Sequence, residues 1–194
     1  QRAVGYSLSG STAEQVWFIC YGKGANGKST FLEVLAKAFG MYAGNMPFTA
    51  LMKGREQAIP TDLAALPGKR LITASETQEH SILNEARIKA LTGGDTITAR
   101  QLYERQFQYQ PELKLWVALN HLPEVTDSSE GFWRRVRVIG FTRHFSGAER
   151  DTGLKEKLID ELPGILNWAV QGARMYLSDG IPVPAKVTIA TQSY

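Results

Sequence analysis

Residues 16–40 read VWFICYGKGANGKSTFLEVLAKAFG. The opening VWFICY (16–21) is bulky and β-rich, which predicts a buried strand. The end, STFLEVLAKAFG, sets Phe31, Leu32, Leu35, Ala36 and Phe39 on one helical stripe with Gly40 as a stop. Between them lies a glycine loop that fits two spacings. Gly22, Gly24 and Gly27 suit a dinucleotide loop, which also needs an acid about 20 residues on for the ribose. That region, MYAGNMPF (41–48), has none. Gly22, Gly27, Lys28 and Ser29 complete the Gly-x4-Gly-Lys-Ser pattern of a triphosphate loop. Loop N–H groups would cradle the β-phosphate, Lys28 would neutralise β/γ oxygens, and the Ser29 hydroxyl would ligate Mg²⁺. The expected ATP set is Gly22, Lys23, Gly24, Ala25, Asn26, Gly27, Lys28, Ser29 and Thr30.

Outward from this unit, strands and helices interleave. RLITAS (70–75), LKLWVALN (113–120) and RVRVIGF (135–141) are further strands, with Leu113, Leu115, Val117 and Leu119 sharing one face. Arg135 and Arg137 would share a face opposite Val136 and Val138. SILNEARIKALTGG (81–94) reads as a helix with a serine cap and a glycine stop. Two alternating runs around YER predict a hairpin over 96–110. LKEKLIDEL and PGILNWAVQGARMYL are helical, and 163–194 forms a C-terminal helical extension. Residues 41–68 look irregular, broken by Pro47, Pro60 and Pro67. The fold class is α/β, a central, mostly parallel sheet flanked by helices, in one domain over 1–194.

Composition sets outer bounds. The 194 residues are 43% hydrophobic and 21% charged, ordinary for a globular domain with a real core. A net charge of +3 permits a nucleic-acid partner without demanding one. Cys20 is the only cysteine, which excludes an intrachain disulfide and fits a reducing, cytoplasmic compartment. No apolar run approaches the roughly 20 residues of a membrane span, and no secretory signal is visible. The chain starts at Gln1, so a longer parent protein is expected.

Hydrolysis needs more than a phosphate loop. An acid must order Mg²⁺ and water, a polar group must meet the γ-phosphate, and positive charge must serve the transition state. Glu76, after RLITAS, fits the acid, and Glu79 is a weaker neighbour. Asn120 ends the next strand and could hold the lytic water, although an asparagine before Leu122-Pro123 also suits a plain turn. Arg134, Arg135 and Arg137 supply rigid, permanent charge, or simply a salt-bridged strand edge.

Five stretches carry a resemblance: GKGANGKST (22–30), KRLITASET (69–77), IKALTGGDTITARQLY (88–103), LWVALNHLP (115–123) and FWRRVRVIGF (132–141). In order and spacing they resemble superfamily 3 helicases, chiefly the helicase domain of phage and plasmid primase-helicases, the group that includes poxvirus D5-like helicase-primases. The resemblance implies an AAA+ type P-loop core and a ring, usually a hexamer. ATP would sit between subunits, single-stranded or forked DNA would engage the pore, and a primase domain would precede this one, in a bacterial host cytoplasm. Lys28 and Ser29 match the family's ATP and Mg²⁺ ligands, Glu76 its acid, also toward Mg²⁺, and Asn120 its sensor. The arginine finger falls on Arg134-Arg135, with Arg135 favoured. Where many members have two adjacent acids, this sequence has Ser75 before Glu76. The hairpin would enter the pore with Tyr103-Glu104-Arg105 at its tip, and Lys89, Arg100, Tyr103 and Arg105 are the candidate DNA contacts. The expected activity is an ATP-driven DNA helicase. Two rivals are an ATP-switched loader without motor activity and a P-loop small-molecule kinase with the arginines as its own lid.

Overall fold

The computed structural model describes residues 1–54, 61–75 and 81–194. In chain order the elements are α1 (Arg2–Leu8), β1 (Trp17–Tyr21), α2 (Lys28–Phe39), β2 (Ala43–Asn45), α3 (Thr61–Ala64), β3 (Leu71–Ser75), α4 (Glu85–Gly93) and β4 (Ile97–Arg100). Then follow β5 (Gln106–Tyr109), β6 (Lys114–Leu119), α5 (Glu130–Trp133), β7 (Val136–Gly140), α6 (Leu154–Asp160), α7 (Leu162–Asp179) and α8 (Ala185–Gln192). Five strands form one sheet in the order β2-β3-β6-β1-β7, and every pairing is parallel. β4 and β5 form a separate antiparallel hairpin.

A parallel sheet covered on both faces needs apolar residues on both faces of its strands. β6 meets that requirement, since all six of its residues are buried. Leu115, Val117 and Leu119 join Trp17 and Ile19 in one layer, and Trp116 and Ala118 join Phe18, Cys20, Leu32 and Leu35 in the other. The single apolar face expected from the sequence is half of the arrangement. Lys114 begins this strand fully buried, and its Nζ donates to the carbonyls of Ser9, Ser11 and Glu112 and stands 4.8 Å from the centre of the Tyr6 ring. Burial and the Arg70 charge push its pKa down to about 7, with Glu112 opposing.

Several local expectations change. The cap of α4 is Asn84, whose Oδ1 accepts from Arg87 N at 3.0 Å, and not Ser81. The described part of 41–68 is less irregular than its prolines suggest: β2 pairs with β3, and α3 follows Pro60. β7 starts at Val136, so Arg135 precedes the strand instead of sharing a face with Arg137.

The C-terminal helices pack on the core. Pro163 sits in the first turn of α7 as expected. α7 crosses α1 at backbone contact, where a Cβ placed on Gly5 would lie 2.0 Å from Ala173 N. α8 lies along β7: Val138 N donates to Thr191 Oγ1 at 3.1 Å, and the Tyr194 hydroxyl donates to Pro123 O at 2.6 Å. No helix among the described residues is long and apolar enough to cross a membrane.

Glu85 ties the loop after β6 to α4. It accepts from Thr126 N (2.7 Å), Thr126 Oγ1 (2.9 Å) and Asp127 N (3.2 Å), and pairs with Lys53 at 3.0 Å. Burial alone would raise its pKa, but hydrogen bonds from its own backbone, Thr126 and Lys53 outweigh it and hold the carboxyl at about 2. A depressed acid stabilises the fold above its unfolded pKa, and that contribution is lost as pH falls through its folded value. Stability of about 3 kcal/mol should therefore disappear between about pH 4.5 and 2. Urea unfolding across that range should show this loss in the native chain and a flatter profile in Glu85→Gln.

Candidate functional site

The glycine loop leaves the carboxyl end of β1, between β6 and β7, the end of an open α/β sheet at which ligands bind. Gly22 N donates to Leu119 O at 3.2 Å. A Cβ on Gly22 would fall 2.3 Å from Asn26 Nδ2 and 2.4 Å from Phe141 O, so only glycine fits. Gly27 holds φ 84° as it starts α2, a left-handed turn that favours glycine. It leaves the first N–H groups of a 12-residue helix uncapped by any side chain, a ready anion site.

Lys28 is buried under this loop. Its Nζ donates to Gly22 O at 2.5 Å and Asn26 Oδ1 at 3.0 Å. Burial pushes its pKa down, with the nearby Cys20 opposing. Asn26 Nδ2 in turn donates to Phe141 O at 3.0 Å, Phe145 N donates to Ala25 O at 2.8 Å, and a His144 ring nitrogen lies 3.3 Å from Gly24 O. The segment after β7 thus latches the loop from one side.

A cleft of about 580 Å³ opens over the loop. It brings together Gly24 to Thr30, Ser75 at the end of β3 and Asn120 at the end of β6. Ser75 pairs in register with Ala118, which sets Ser75 and Asn120 on neighbouring strand ends. Ser29 and Asn120 are exposed to the cleft. Glu76 and Glu79 lie outside the described residues. The far wall comes from Phe145, Glu149, Arg150, Asp151, Thr152, Leu154 and Lys155. No motif marks that wall in the sequence. A larger hollow of about 690 Å³ adjoins the cleft and shares Ser29, Ser75 and Lys155 with it. Lys155 is paired with Glu33 there. Among the described residues, no cluster of three His, Cys, Asp or Glu side chains could hold a metal. The described Mg²⁺ candidate is therefore Ser29.

The arginine pair sits elsewhere. Arg134 caps α5 and Arg135 precedes β7, with Trp17 N donating to Arg135 O at 2.9 Å. β1 and β7 run in register from Trp17–Val136 to Tyr21–Gly140. At about 3.3 Å per residue, roughly 15 Å of strand separates the pair from the chain's own loop. Arg134 is exposed, whereas Arg135 is 9% exposed and its Nε has no partner. Burial and the Arg134 charge push the Arg135 pKa down, with Asp95 opposing. Arg137 donates to Arg134 O (2.8 Å) and Val136 O (2.9 Å).

The hairpin forms as expected, with Ile97 opposite Tyr109 and Arg100 opposite Gln106. Tyr109 anchors it by donating to Leu63 O at 2.8 Å. Tyr103 is 97% exposed at the tip with φ 65°, beside exposed Leu102, Arg100 and Arg105. Lys89 lies on α4, the helix that precedes the hairpin, as the sequence implies. It is bound to Asp127 Oδ2 at 2.5 Å and Ser129 Oγ at 3.3 Å.

Comparison with known proteins adds a family. Residues 20–135 match the Family of unknown function (DUF5906). A protein of Acanthamoeba polyphaga mimivirus, provisionally named a helicase, is 31% identical over 96% of this chain and 22% of its own length. A protein of African swine fever virus (isolate Warthog), provisionally named a primase, is 28% identical over 64% of the chain and 13% of its own length. The chain thus spans about a fifth or less of these relatives. A ligand-free structure of the NrS-1 C-terminal region superposes with a TM-score of 0.64 at 16% identity, over 93% of this chain and 42% of that one.

Proposed function

The chain belongs to the Family of unknown function (DUF5906), and we propose that it is the ATP-driven DNA helicase motor of a viral or mobile-element replication protein. In this reading it is a superfamily 3, AAA+ type P-loop domain that works as a ring, usually of six. The helicase and primase names of its relatives support the DNA-replication setting, and the five-stranded parallel sheet is compatible with that core.

One observation carries the reading. The phosphate loop, Ser75 and Asn120 converge on one cleft, while the arginines that would complete it stand at the other end of the sheet. A ring of like copies brings one chain's arginines to the next chain's cleft. ATP would lie on the loop with its β/γ oxygens at Lys28 and its Mg²⁺ at Ser29. Glu76, next in sequence to Ser75, is the proposed acid, and Asn120 orients the water. Arg134, exposed and free of any carboxylate partner among the described residues, is better placed than buried Arg135 to reach a neighbour. The same separation keeps Arg134 and Arg135 from forming the kinase rival's lid over the chain's own phosphates.

Single-stranded DNA would meet the hairpin tip. Arg100 and Arg105 are exposed and can each neutralise a phosphate, while Tyr103 can stack on a base. Lys89 already holds Asp127 and is assigned to the fold instead. Arg100→Ala and Arg105→Ala should each weaken DNA binding whatever its sequence and lower the log–log salt slope by about 1. Fluorescence anisotropy across a salt series reads both effects, and unchanged slopes would remove the tip from the DNA path.

The reading is tested by ATP turnover and strand unwinding on forked DNA, with mass measurement of the assembly. Turnover raised by single-stranded DNA in a ring is expected. A DNA-bound ring with negligible turnover would turn the assignment to an ATP-switched loader.

A further inference from the structure

The segment between α1 and β1, residues 9–16, runs beneath the sheet as a strap. Ser9 and Ser11 give their carbonyls to Lys114. At the strap's far end stands Gln15, whose φ of 52° is unusual for a residue with a side chain. Gln15 N donates to Thr12 O at 2.9 Å, which closes the turn. That turn sets both polar ends of one residue against the arginine pair. Gln15 O accepts from Arg135 Nη1 at 3.4 Å, and Gln15 Oε1 accepts from Arg134 Nη2. Arg137 fixes the Arg134 carbonyl from the other side at 2.8 Å.

We infer that Gln15 is a positioning residue, which aims the Arg134 guanidinium outward at the phosphates of a neighbouring copy. This rests on the proposed ring of ATP sites. An arginine on a surface turn has many rotamers, and ordering it beforehand removes an entropic cost from the transition state. A carboxylate would order it too, but would also neutralise the charge that the phosphates require. An amide oxygen accepts the hydrogen bond and leaves the charge intact. The left-handed backbone of Gln15 is what lets its side chain and its carbonyl face the same pair.

The test uses Gln15→Gly in the ring-forming protein, because glycine adopts φ 52° without strain and keeps the carbonyl for Arg135. Gln15→Asn, which also tolerates this backbone but is one methylene shorter, serves as a second variant. In both, kcat for ATP should fall roughly 10- to 100-fold while KM stays within about twofold. Each Gln15 variant still has a sound loop of its own. Mixed with Lys28→Ala chains, whose Arg134 is correctly held, it should recover turnover above either parent alone. A merely structural loss would persist in the mixture. Unchanged kcat in both variants, or loss without recovery, overturns the inference. Arg134→Ala mixed with Lys28→Ala separates the two levels. Recovery there with none for Gln15→Gly sinks the role of Gln15 alone, and no recovery in either mixture sinks the shared site and the inference with it.

Discussion

Lys28→Ala is expected to lower ATP turnover by about a thousandfold and to abolish unwinding. The argument is electrostatic. Lys28 is 5% exposed, and the two groups that hold its ammonium, Gly22 O and Asn26 Oδ1, are both neutral. Burial has already depressed its pKa, so its charged form gains from an anion placed above it. The loop therefore keeps an uncompensated cation at the mouth of a helix N-terminus, and the phosphate oxygens of the proposed ATP would supply what is missing. Alanine leaves two acceptors without their donor, Asn26 Oδ1 at the cleft wall and Gly22 O behind it. The fold should lose only about 1 kcal/mol. Steady-state turnover with single-stranded DNA, alongside thermal unfolding, checks both halves. Turnover at half the native level or above would take the loop out of the reaction.

Gly5→Ala is expected to destabilise the protein by about 3 kcal/mol or more. In a helix interior this change usually helps by up to about 1 kcal/mol, because alanine is the better helix former. Here the added carbon would lie 2.0 Å from Ala173 N and 2.1 Å from Gly172 C. Both are backbone atoms, so no rotamer change relieves the overlap and α1 must lift off α7. Gly172 repeats the condition from the other helix, since its Cβ would lie 2.4 Å from Gln1 O. Urea midpoints for Gly5→Ala and Gly172→Ala decide the matter. A midpoint at or above the native one would mean that the helices do not touch there.

Much of this fold is legible in the sequence where local chemistry dictates it. Parallel strands buried on both faces must be dense in Val, Ile, Leu and aromatics, so β1, β3 and β6 stand out, and β7 shows by its alternating valines. The hairpin shows itself by alternation around YER, and the loop by its glycine and lysine spacing. What stays hidden depends on partners far away in the chain. The three residues of β2 are a strand only because β3 lies beside them. Ser81 and Asn84 are both good caps, and the competition goes to the residue whose side chain reaches Arg87 N. Arg134 and Arg135 look alike in a row of arginines. They part because Gln15, more than a hundred positions away, gives its side-chain oxygen to Arg134 at the surface and only its backbone carbonyl to Arg135, which is buried beside Gly93. The wall from Phe145 to Lys155 faces the cleft through chain path alone, and nothing in its composition reports that.

The placement of α8 has a consequence for self-association. Open sheets tend to recruit strands at their rims, and from there copies can polymerise without limit. In this sheet one rim is roofed, with the Val138 N–H already bound to Thr191, and the other rim is only the three residues of β2. Each rim of this sheet therefore offers a second chain little backbone with which to extend the ladder. In the proposed ring, copies would therefore meet through loops and side chains, contacts that could loosen and re-form with each nucleotide, instead of through a continuation of this sheet.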